Sequence, residues 1–111
     1  MKREIAVNNR LYKMGKISAD TYMDYLELAE KIEAATASRP SRRYSRNEIA
    51  EMAEFVCEAY GNQFTPDELK DVDTGLDAAG IIIEFNMIEA QVAEEMSERM
   101  DKMIVNFPKS K

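Results

Sequence analysis

Apolar and polar positions along the chain change period several times, and each change marks an element. Over residues 3–17 the pattern is short and alternating. Glu4-Ile5-Ala6-Val7 and Arg10-Leu11-Tyr12-Lys13-Met14 flank Asn8-Asn9. Asparagine tolerates the left-handed backbone that a two-residue turn requires, so the stretch predicts a β-hairpin. Whether Leu11 joins the face of Ile5 and Val7 depends on register. A two-stranded ribbon is marginal alone and must rest on helices or on another chain.

From residue 18 the period becomes helical. Ser18 is placed to cap a helix over 19–35, with Tyr22, Tyr25, Leu26, Ala29 and Ile32 on one side and Asp24, Glu27, Glu30 and Lys31 on a wetter one. Two further starts share one grammar. Tyr44-Ser45-Arg46-Asn47-Glu48-Ile49 and Phe64-Thr65-Pro66-Asp67-Glu68-Leu69 each set a hydroxyl three residues before a glutamate, with an aromatic residue before the cap and an aliphatic one four residues after it. This is the capping box with its hydrophobic staple. The first start predicts a helix over 46–60 that stops at Gly61; the second, with proline at its first position, predicts a short one. In the first, Ile49, Met52, Ala53, Val56 and Tyr60 form the apolar face, and Glu48, Glu51, Glu54 and Glu58 form an acidic ridge. The last element covers 76–105. Ile81, Phe85, Ile88, Val92, Met96, Met100 and Met103 recur every three or four residues, as one long helix or two bent near Gly80. Ile81-Ile82-Ile83 and Phe85 to Ile88 carry apolar groups on several sides, so the first half is expected to be buried all round. The fold class is therefore mainly α: one small domain, 1–111, of about four helices with a short N-terminal hairpin (1–17), a basic loop (36–45) and a polar tail (104–111).

Composition narrows the chemistry. A chain of 111 residues can bury a core without disulfides or metal, and its lone Cys57, inside an amphipathic helix, reads as a buried thiol. There is no histidine, which removes the commonest general base and metal ligand. Glycine-rich phosphate loops and zinc spacings are also missing. Asp71, Asp73 and Asp77 resemble a calcium loop in part, but Leu76 and Ile82 stand where glycine and a bidentate glutamate are needed, so the stretch reads as a turn. Nothing points to an enzyme or a cofactor. No apolar run is long enough for a membrane span, and the N-terminus lacks a signal-peptide core, so a cytoplasmic protein is expected.

Charge is polarised. Residues 1–47 hold ten Lys/Arg against six Asp/Glu, and residues 48–111 hold five against fifteen, within a net charge of −6. A pI near 4.7 disfavours nucleic acid as the main partner. Arg39, Arg42, Arg43 and Arg46 form a basic patch that reads first as a solvated interhelix loop and second as a site for RNA or an acidic protein. The opposed halves also make a homo-oligomer a reasonable expectation. Methionine is flexible and polarizable, and Met96, Met100 and Met103 on a terminal helix, with Phe107 beyond, make a candidate partner-binding groove.

The segment EMAEFVCEAYGNQFT (51–65), followed by Asp67-Glu68-Leu69 and Gly75-Leu76-Asp77-Ala78, resembles the tail assembly chaperones of long-tailed bacteriophages. Lys16-Ile17-Ser18 leading to Tyr25-Leu26-Glu27-Leu28 is similar to that family's strand-then-helix opening. The resemblance implies a small helical protein that coats the tape measure protein in the host cytoplasm before the tail tube polymerises, and that tail tube protein then displaces. Two other readings stay open: an adaptor or regulatory protein that uses the arginine loop, and a structural ring or connector component of the phage.

Overall fold

The computed structural model describes residues 3–41 and 43–106, with side chains to residue 104. The hairpin forms as the pattern predicts. Strand β1 (Glu4–Val7) pairs antiparallel with β2 (Arg10–Lys13), in the register Ile5 to Tyr12 and Val7 to Arg10. Asn8 and Asn9 take φ of 55° and 62°, the positive values a tight hairpin turn needs. Ile5 and Val7 face the core. Leu11 pairs with Ala6 on the other face and stays exposed, so the register separates it from them.

Helix α1 (Ala19–Ala37) begins at Ser18, whose hydroxyl accepts from the Thr21 N–H, and runs two residues beyond the expected end. Helix α2 (Arg46–Ala59) and the short α3 (Pro66–Lys70) both carry complete capping boxes, at Ser45 with Glu48 and at Thr65 with Glu68. Helix α2 stops in a two-bond cap. The Asn62 N–H donates to the Cys57 carbonyl at 2.8 Å and the Gly61 N–H to that of Glu58 at 3.0 Å, with Gly61 at φ 75°. That pairing satisfies carbonyls the helix leaves open.

Helix α2 is the central element and packs against α1, α3 and α4 (Ala78–Asn106). Met52, Ala53, Phe55, Val56, Cys57, Ala59 and Tyr60 are all buried, a wider face than the apolar stripe alone predicts. Phe55 joins Tyr25 of α1 and Phe85 of α4, with ring centroids 5.7 Å and 6.1 Å away. The hairpin is fixed from both sides. The Tyr12 ring packs tilted against Phe64, centroids 5.1 Å apart, and the Asn8 N–H donates to the Thr74 carbonyl at 2.6 Å. Beneath it, Arg3 pairs with Glu84 of α4, whose second oxygen accepts from the buried Tyr60 hydroxyl at 3.2 Å. Burial beside that carboxylate pushes the Tyr60 phenol pKa up.

Helix α4 is continuous through Gly80, one helix rather than two; Asp77 Oδ1 accepts the Gly80 N–H and starts the helix in place. Its first half is not buried all round. Ile81, Phe85 and Ile88 are covered, but Ile83 is 57% exposed. The reason is architectural: the other helices occupy only one side of α4, and the opposite side faces solvent. The acidic ridge on α2 is also divided. Glu54 and Glu58 are exposed, Glu51 pairs with Lys31 at 3.0 Å, and Glu48 is buried.

Candidate partner-binding surface

Helix α4 has 29 residues and is therefore ~43 Å long. Gln91 is its last buried residue among those described. Beyond it the helix leaves the packed body, which explains a radius of gyration of 16.6 Å where a compact chain of this length would have about 13 Å. The overhang is helical on local grounds. It contains no glycine or proline, and Glu and Met, both good helix formers, recur along it. An (i, i+4) pair between Glu95 and Arg99, at 2.9 Å, reinforces it.

One side of this overhang is apolar and uncovered. Met96, Met100 and Met103 are each more than half exposed, and Ile104 is 66% exposed. Together with Val92, Glu95 and Arg99, the three methionines form one wall of an open groove of about 400 Å³; Lys16 and Ile17, in the link between β2 and α1, form the other. The Gln91 amide donates to Glu95 at 3.2 Å and holds that carboxylate at the groove edge. The structure thus brings Met96, Met100 and Met103 together on one face. Phe107 lies outside the described residues. Ile104 belongs to the same face and was legible as the i+4 successor of Met100. Lys16 and Ile17 were not, because only the tertiary fold brings them to α4.

The arginine loop has a different arrangement. Arg39 holds Glu48 by two bonds, Nη1 to Oε1 at 2.6 Å and Nη2 to Oε2 at 2.8 Å, and Nη1 also donates to the Arg43 carbonyl. Glu48 also accepts from the Ser45 N–H, so one carboxylate both starts α2 and closes the loop onto it. The Arg39 guanidinium and the Ser45 N–H hold the Glu48 pKa down, at about 2. Arg43 and Arg46 are exposed, and Arg42 lies outside the described residues. Of the three arginines described, Arg39 therefore has a structural role.

Cys57 is buried, and burial raises its thiol to about 11, so it is a packed side chain rather than a nucleophile. Among the described residues, no group of His, Cys, Asp and Glu could hold a metal ion. No helix among them is long and apolar enough to cross a membrane. Fold and surface describe a small helical protein with an overhanging apolar helix face.

The chain belongs to a family of phage tail chaperone proteins: the family model matches residues 1–106, all but the last five positions. A tail chaperone implies a binding role rather than a catalytic one, among proteins of a bacteriophage tail. Comparison with curated proteins and with solved structures found no match.

Proposed function

We propose that this tail chaperone binds the tape measure protein along the overhang of α4 and keeps it soluble in the host cytoplasm until the tail tube forms around it. The observation that carries this reading is the uncovered line of Met96, Met100, Met103 and Ile104 on a helix that runs on past the buried core. A long helical polypeptide that awaits enclosure exposes apolar stripes, and an amphipathic helix binds such a groove through residues spaced i, i+3 and i+4. Unbranched methionine side chains adapt to varied stripes, which suits contacts repeated along a partner. The net charge of −6 favours solubility of the coated complex. Release to tail tube protein requires each contact to be modest, with strength from many copies acting together. Phe107 stays a candidate contact residue on the sequence alone. The adaptor reading is weaker, because Arg39 is occupied by Glu48.

Co-expression tests the proposal. The tape measure protein should be recovered soluble, in a complex, with the native chain. With Met100→Asp and Met103→Asp together, at least about tenfold less should be recovered, since two charges would be forced against apolar surface. A complex that survives both changes would place the interface elsewhere.

A further inference from the structure

The overhang of α4 is complementary to itself. We propose that residues 92–103 pair, antiparallel, with the same residues of a second copy about a two-fold axis between Ser97 and Glu98. This pairing covers the methionine line until a tail polypeptide displaces it. The inference deepens the function proposed above and rests on it only for the identity of the displacing partner.

Two observations choose a second copy as the occupant. The apolar line is nearly symmetric about its own centre. With the axis placed there, Val92 stands level with Met103 of the other copy, and Met96 within one residue of Met100. A two-fold interface needs this property, since one patch must fit itself reversed. The polar edge of the groove is antisymmetric in charge. Glu95 lies on the N-terminal side and Arg99 on the C-terminal side, and both border the groove. Reversing one helix sets Glu95 within one residue of Arg99 of the other copy, twice over. A parallel pair would set Glu95 beside Glu95, so the charges select direction as well as partner.

Geometry permits the pairing. The two bodies stand at opposite ends of the paired helices, because the covered half of each α4 begins where the other copy's overhang stops. The overlap is twelve residues, or about 18 Å, too short to reach the ~1,200 Å² of a stable interface. The pair is consequently weak and concentration-dependent, as a removable cover must be.

Sedimentation equilibrium of the full chain alone, from about 1 µM to about 1 mM, gives the test. The native chain should show a monomer–dimer equilibrium. Glu95→Arg and Arg99→Glu should each weaken it about tenfold by setting like charges opposite one another. Mixing the two variants should restore a mixed dimer, and Glu95→Arg combined with Arg99→Glu in one chain should restore the homodimer. Far-ultraviolet circular dichroism of each variant separates lost pairing from lost helix. A native chain that stays monomeric throughout overturns the inference, as does a dimer indifferent to the single charge changes or a mixture that fails to associate. None of these readouts involves the tape measure protein, so they fail independently of the co-expression experiment.

Discussion

Glu48 shows how much a single side chain can be asked to do. It caps α2, closes the arginine loop through Arg39, and is almost wholly covered in doing so. Its folded pKa, at about 2, lies below the ordinary 4.5. A depressed carboxylate contributes stability that is complete above its unfolded pKa and lost as pH falls through the folded one. Melting temperature should therefore drop as pH is lowered from about 4.5 towards 2. Glu48→Gln should melt a few degrees lower at neutral pH and show a flatter acid limb, because the neutral amide keeps the shape but loses both charge-assisted bonds. Thermal unfolding followed by circular dichroism across that range checks both. Sequence made the cap readable through the Ser45–Glu48 spacing. It did not reveal Arg39, because a nine-residue separation across a loop has no periodic signature.

At the scale of elements, the tightest joint is the turn between α3 and α4. The Gly75 N–H donates to the Asp71 carbonyl at 2.6 Å, and the Leu76 N–H reaches back to that of Leu69 at 2.8 Å. A Cβ at Gly75 would lie 2.3 Å from the Leu69 carbonyl oxygen, which is backbone and cannot step aside. Gly75→Ala should cost about 2–4 kcal/mol, read as a lower denaturant midpoint at unchanged slope. Gly15→Ala, where nothing lies within 4 Å of the new carbon, should stay within about 0.5 kcal/mol and serves as the control. The elements themselves were legible because hairpin turn, helix caps and apolar period agree locally. Their depth of burial was not. The expectation that the first half of α4 would be enclosed failed at Ile83, since which side of a helix acquires neighbours is decided by the other helices. The wide burial of α2 has the same origin: the central helix is covered beyond its apolar stripe, at Phe55, Cys57 and Ala59 as well.

The whole molecule divides into a packed body and a projecting helix, within extents of 56 × 38 × 21 Å. The sequence indicated the methionine line through its spacing. It could not say whether that line packs inward, because a methionine stripe reads alike in a core and on a surface. Its exposure has a redox consequence. Thioether sulfur oxidises to a polar sulfoxide, at rates that follow solvent access. Met96, Met100 and Met103 should convert first under mild peroxide, along with the exposed Met23, while Met14 and Met52 inside the body resist. Peptide mass spectrometry would rank them. The same pliant chemistry that lets the overhang grip leaves it open to chemical blunting, and a sulfoxide reductase could restore the grip with the body folded throughout.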